Sequence, residues 1–222
     1  MRAMTAATAV ASLLVVTSAA QWLAASAMGQ AQAASNCVAI GKPAPQVNYT
    51  YEHIESSGNK SRYTNRWEAV TDTGSRVRIT QAGSTMIQVN EHHIADDVTV
   101  LDRSTKQNGN GGVIDSTVFR PGIVGDPAFR ACAGKSWRIP PVTASYQSAE
   151  AKAAAATPAG TLRIVAIHEA ITVPAGKFDT VHYIRTSQSS DEYWKSIEHG
   201  VVVKHIATVR GAVVTEDLLS VK

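Results

Sequence analysis

An antiparallel β domain is the fold class this sequence predicts, and three observations carry the prediction. Apolar and polar residues alternate with period two through most of the chain, turn-forming residues recur about every eight to twelve positions, and almost no segment carries a helical period. The last third, residues 161–222, makes the case most clearly, reading as five strands joined by tight turns. With 222 residues, 44% of them apolar and only 18% charged, the chain has enough apolar side chains for a buried core.

The first segment reads as an address. Arg2 precedes an apolar run over residues 6–20, and Ala31-Gln32-Ala33 matches a small-residue cleavage site, so residues 1–33 are predicted to be an export signal. The alternative is an uncleaved membrane anchor over residues 6–27, which the Thr and Ser residues and Gln21 within it weigh against. Residues 34–222 are then a single antiparallel β domain, with a sub-boundary at 149–160, and the location is periplasmic or secreted. Membrane contact is expected only through the export signal. In an oxidising compartment the two cysteines, Cys37 and Cys132, permit one intramolecular disulfide, and two buried free thiols are the other reading.

Along the domain, Val47, Tyr49, Tyr51 and His53 share one face of a first strand, and Tyr63, Asn65 and Trp67 share one face of a second. Ser57-Gly58-Asn59 turns between them. Further turns fall at Asp72-Thr73-Gly74 and Ala82-Gly83. Residues 104–112, rich in Gly and Asn, are predicted to form a flexible loop. Arg120-Pro121-Gly122 and Gly125-Asp126-Pro127 are predicted to break the chain twice. Residues 150–156 (E-A-K-A-A-A-A) have helical propensity, but seven residues are too few for a stable isolated helix, so they are expected to cross between parts of one sheet. Residues 161–171 are apolar on both faces, as in a central strand covered on both sides. Val173-Pro174-Ala175-Gly176 has the composition of a tight corner.

These C-terminal features also carry a resemblance. T-P-A-G-x-L at 157–162, E-x-x-x-V-P-A-G-K-F-D at 169–179, Glu192-Tyr193-Trp194 and G-V-V-V-K at 200–204 resemble exported bacterial domains of unknown function. In those domains V-P-A-G-x-F is followed by Y-W and G-x-V-K. The resemblance covers roughly the last 65 residues. It implies a curved antiparallel sheet, a half-barrel or open barrel with little helix, similar to the periplasmic lipoprotein carriers. It brings no catalytic residue. Residues 195–199 (K-S-I-E-H) depart from the usual Tyr/Ala-Pro-Gly-Val at this point.

Candidate chemistry is sparse. Glu91, His92, His93, Asp96 and Asp97 place five potential ligands in seven residues, but adjacent histidines on a strand point to opposite faces, so a solvated hairpin tip is favoured over a metal site. His168, His182, His199 and His205 have no serine elbow beside them, and an enzyme is not expected. No cofactor is implied. A net charge of +3 without a basic run argues against nucleic acid. Tyr49, Tyr51, Tyr63 and Trp67 fall on one face by parity, and Trp194 is placed opposite them. They are either plain core or the lining of a concavity for a lipid or another apolar small molecule. The function expected is therefore non-catalytic binding of a lipophilic ligand or envelope component. The alternative is an adaptor whose sheet edges or 104–112 loop meet another envelope protein.

Overall fold

The computed structural model describes residues 36–148, 151–187, 189–209 and 211–222. The expected export signal lies outside them. Residues Cys37–Lys222 form one compact unit. Among the described residues there is no helix, and sixteen strands run in chain order. These are β1 (Cys37–Ala39), β2 (Asn48–Glu55), β3 (Lys60–Val70), β4 (Gly74–Gln81), β5 (Ile87–Ala95), β6 (Val98–Gln107), β7 (Val113–Pro127) and β8 (Arg130–Cys132). They continue with β9 (Ser136–Ile139), β10 (Val142–Ser148), β11 (Lys152–Thr157), β12 (Gly160–Val173), β13 (Gly176–Thr186), β14 (Ser190–Ser196), β15 (Val202–Val209) and β16 (Ala212–Val221).

Fourteen of these strands form one antiparallel sheet, in the order β11-β10-β7-β6-β5-β4-β3-β2-β16-β15-β14-β13-β12-β9. It consists of two meanders that meet in the middle, where the first long strand, β2, pairs with the last, β16. Asn48 and Lys222 exchange backbone bonds of 2.7 and 3.0 Å at that join. The sheet is large and curved but not closed into a barrel, because β11 and β9 remain its edges.

Side chains do what hydrogen bonds do not. Val98 and Val100 of β6 and Val124 of β7 share a buried cluster with Leu162 and Ile164 of β12, Val181 and Tyr183 of β13, and Trp137 and Ile139 of β9. The curve thus brings β6 and β7 against β12 and β13, and apolar burial of about 25 cal/mol per Å² holds them there. A second cluster lies where β12 turns into β13. Val173 packs with Tyr49, Tyr51, Trp194, Val201, Val203 and Leu218, and the Ala175 N–H donates to the Leu218 carbonyl at 3.0 Å. Val173 pairs directly with Gly176, leaving Pro174-Ala175 as a two-residue corner, and Gly176 has φ 139°, a conformation that favours glycine.

The remaining pair, β1 and β8, is a separate ribbon in which Cys37 lies opposite Cys132, and the two are joined in a disulfide. From it the chain runs through Ile40, whose N–H donates to the Phe129 carbonyl at 2.8 Å, and Gly41, whose N–H donates to the Ile197 carbonyl at 2.7 Å. The Gly41 carbonyl lies so close to Gly200 that a Cβ there would collide with it, and Gly200 has φ 63°. The leader segment 40–43 thus packs directly against the turn at 197–200.

Four local expectations are corrected. Residues 152–157 form edge strand β11, because pairing with β10 from Val142↔Thr157 to Gln147↔Lys152 overrides alanine's helical preference. Residues 104–107 belong to β6, and the turn is confined to 108–112, held by the Asn108 side chain accepting from the Gly112 N–H at 2.8 Å. The two breaks near Pro121 and Pro127 are absorbed within β7, whose register against β6 shifts between Leu101 and Arg103 and between Val98 and Val100. Finally, β12 is buried on one face only. Leu162 and Ile164 are buried while Val165 is 39% exposed, and register shifts after Ile164 and Ala166, with His168 at φ 59°, re-aim the strand.

Candidate functional site

The concave side of the curve contains a half-open hollow, built by parity. On β3 the residues Tyr63, Asn65 and Trp67 point inward, opposite Val77 and Ile79 of β4. From β2 comes Tyr51, from β13 Tyr183 and Arg185, from β14 Tyr193 and Lys195, from β15 His205, and from β16 Glu216. Asp126 of β7 reaches in from the side packed against β13 and β14. Two adjoining hollows of about 220 and 270 Å³ share Asn65, Trp67, Asp126 and Gly200. A third, of about 400 Å³, continues past Tyr63 and Asn65 toward Met86 and Lys106.

Aromatic rings line the walls in cross-strand ladders. Tyr51 stacks on Tyr63 with centroids 5.1 Å apart, Tyr183 on Tyr193 at 4.9 Å, and Tyr193 on His205 at 4.2 Å. Burial pushes the phenols of Tyr51, Tyr63, Tyr183 and Tyr193 above their ordinary range, so each keeps its proton.

Two carboxylates anchor the polar part. Glu216 accepts from Tyr63 OH at 3.1 Å and bonds the Nδ1 atoms of His53 at 3.0 Å and His205 at 3.1 Å. Burial alone would raise its pKa, but the bonds from His205 and His53 outweigh burial and hold the group down to about 2. A folded-state pKa below the unfolded value stabilises the fold at neutral pH, and that contribution is lost as pH falls from about 4.5 toward 2. Glu216→Gln is therefore expected to lower stability by a few kcal/mol (about 1.4 per unit of pKa) at pH 7 and much less at pH 3. Urea midpoints at the two pH values measure this, and an equal loss at both would contradict it.

Asp126 accepts from the Thr99 hydroxyl and the Lys195 ammonium, and Lys195, only 3% exposed, also donates to the Pro127 carbonyl at 2.7 Å. Burial opposes ionisation of Asp126, yet the Lys195 charge and bond, with the Thr99 bond, keep its pKa below the usual value. This ion pair bridges β7 and β14 across the gap that the sheet leaves open. His92 lines the same hollow, and burial lowers its pKa.

The residues singled out in the sequence divide into two groups. Tyr51, Tyr63 and Trp67 lie together on the hollow. Tyr49 belongs to the core beneath it, 1% exposed, edge-on to Trp67 at 5.2 Å, with its hydroxyl accepting from the Ala44 N–H at 3.1 Å. Trp194 is buried in the same cluster as Tyr49 but does not line the hollow. It stacks on His182 at 4.4 Å and donates to Glu169 at 2.8 Å. Of the acidic and histidine cluster, His92 points inward while exposed His93 bonds Asp102 at 2.8 Å. Only Asp96 and Asp97 form the tip, both at positive φ. Among the described residues no three His, Cys, Asp or Glu groups are arranged to hold a metal. Around Glu216 the imidazoles bond the carboxylate itself.

Sequence reasoning misses Asp126, Lys195, Arg185 and Glu216, and it offers His205 only as one of four histidines weighed for catalysis. Asp126 falls within a predicted break, and the other three carry no motif. Alternation offered the single available signal, since Tyr183 and Arg185, like Tyr193 and Lys195, share a face.

No family model matches the chain, and no curated protein matches it. Among solved structures, an inferred exported protein with a YmcC-like fold from Bacteroides fragilis is similar with a TM-score of 0.48 at 10% identity, over 84% of this chain and 100% of that one. An inferred lipoprotein from Parabacteroides distasonis is similar with a TM-score of 0.40 at 9% identity, over 85% of this chain and 100% of that one.

Proposed function

We propose that this is an exported, non-catalytic binding protein whose curved sheet holds a small ligand with an apolar face, drawn from the cell envelope. The observation that carries this reading is the half-open hollow walled by the partly exposed Tyr63 and Trp67 beside the buried Tyr51, where apolar surface borders open space. The Cys37–Cys132 disulfide supports a periplasmic or secreted location, where such a bond persists. Binding without turnover is supported by the state of the two carboxylates. Glu216 and Asp126 are each fully engaged by neighbours, which leaves neither of them poised to take a proton from a nucleophile.

A second reading, an adaptor for another envelope protein, has one specific observation in its favour. Edge strand β11 is exposed along all six residues and has no partner on its outer side, the arrangement that strand addition uses.

Native mass spectrometry of the protein purified from its own envelope separates the two. A small 1:1 adduct that is lost on unfolding is the result expected. Bare protein, together with no uptake of an apolar fluorescent probe, would sink the binding reading, and a stable protein partner on such bare protein would favour the adaptor.

A further inference from the structure

One charge at the hollow has no counter-charge. Of the charged side chains lining the 270 Å³ hollow, Asp126 is held by Lys195, and Glu216 is bonded by His53, His205 and Tyr63. Arg185 of β13 lines the same hollow and is half-buried. Among the described residues its guanidinium has no ion-pair partner. Asp191, directly opposite on β14, accepts instead from the Ser189 hydroxyl at 3.1 Å. Arg185 donates to the Tyr193 hydroxyl, a neutral group, and its enclosed Nε makes no bond. Charges withdrawn from water are normally paired, because their desolvation is otherwise unopposed.

The position of Arg185 limits what can pair with it. The residue also lines a smaller hollow of about 110 Å³, in which it is the sole charged side chain. That hollow lies where the margins of the sheet come together, between Ile123 of β7, Val142 of β10 and Ile139 of edge strand β9. Arg185 thus stands between an apolar niche and the main hollow. Its charge reaches Tyr183 and Tyr193, where it works to lower both phenols against the larger effect of burial. A guanidinium beside apolar surface suits an amphiphilic anion. Its planar fork matches two oxygens of a carboxylate or phosphate, and the apolar walls take the rest of the molecule. A neutral ligand would leave the charge unmatched, and a cation would be repelled.

We propose that Arg185 anchors the anionic headgroup of an amphiphilic ligand, whose apolar part lies along the hollow toward Tyr63 and Trp67. The proposal rests on the binding reading above and assigns the charge of its ligand. The headgroup is the carboxylate of a fatty acid or the phosphate of a lipid, and the same fork receives either.

The test titrates the full chain by calorimetry with dodecanoate, dodecyl phosphate, dodecanol and dodecyltrimethylammonium, each below its aggregation concentration, and with inorganic phosphate. At least one of the two chain-bearing anions is expected to bind 1:1, about tenfold or more tighter than dodecanol, as a charge-assisted bond warrants. The tighter of the two identifies the headgroup. Arg185→Met is expected to erase the preference for the anion while dodecanol binds as before. Arg185→Lys keeps the charge without the fork and is expected to retain part of the preference, which decides the matter should the Met variant not fold. Dodecanol or dodecyltrimethylammonium binding as tightly as both anions, or an unchanged preference in the folded variants, overturns the anionic class and leaves the binding reading standing. Inorganic phosphate binding as tightly as dodecyl phosphate also overturns it, since the chain then contributes nothing. If no chain-bearing probe binds and the native mass is bare, both readings fall.

Discussion

Asp126→Leu is expected to cost about 3–5 kcal/mol, the range for stranding one member of a buried ion pair. The size follows from Lys195. Its ammonium is 3% exposed and has two acceptors, the Asp126 carboxylate and the Pro127 carbonyl, so removing the carboxylate leaves a buried charge with one neutral partner. The double variant Asp126→Leu with Lys195→Met removes both charges and is expected to recover most of the loss, since a buried pair replaced by packed apolar groups is often neutral. Urea unfolding of the wild type, both single variants and the double variant measures the coupling. A single variant as mild as a surface substitution, or a double variant no better than the worse single, would refute the account. Asp126 also adds an acid dependence. Because its folded pKa is depressed, its contribution is present above the unfolded value near 4 and is lost as pH falls through the folded value.

Reduction of the Cys37–Cys132 bridge is expected to be comparably large. The bond links residues 95 apart, and chain entropy values a loop near 100 residues at about 4.7 kcal/mol. For a domain of this size each kcal/mol moves the melting temperature by roughly 2–4 °C, so a drop of about 10 °C or more is expected with reductant or in a Cys37→Ser, Cys132→Ser variant. The ribbon of β1 and β8 has only three paired positions to hold it once the bond is gone. If thiol titration shows full reduction and the melting temperature does not move, the bridge contributes nothing of the kind.

The sheet was legible in the sequence where one of its faces is dry. β2 and β12 show it most clearly, because over part of each burial selects every second residue. β11 was not legible. Its alanines carry a helical preference and no alternation, and all six positions are exposed, so only the partner strand β10 specifies its conformation. In β6 and β7, glycine and proline look like punctuation, yet a long antiparallel pair accommodates them as register shifts. The hollow was half legible for a related reason. Tyr51, Tyr63 and Trp67 lie on adjacent strands of one hairpin, where parity is enough to place them on a common face. Trp194 lies in the other meander, and parity there puts it on the face opposite Tyr193 and Lys195, which only the curve of the sheet aims at the hollow. The charged members are harder still. Asp126 and Lys195 are 69 residues apart, and Glu216 meets Tyr63 across 153, so only the curve and strand order of the sheet make them neighbours.

The bridge at Cys37 also fixes the mechanics of the chain. A pull on residues preceding Cys37 enters the domain at two places, β1 directly and β8 through sulfur. Residues 38–131 lie inside the covalent loop and carry none of the end-to-end extension while the bond is intact. At about 3.3–3.6 Å per residue, that removes roughly 300 Å of slack from the stretched contour. Strands β2 to β7, which supply Tyr51, Tyr63, Trp67 and Asp126, are thereby shielded from tension along a tether, and the strain falls on the β9–β16 half.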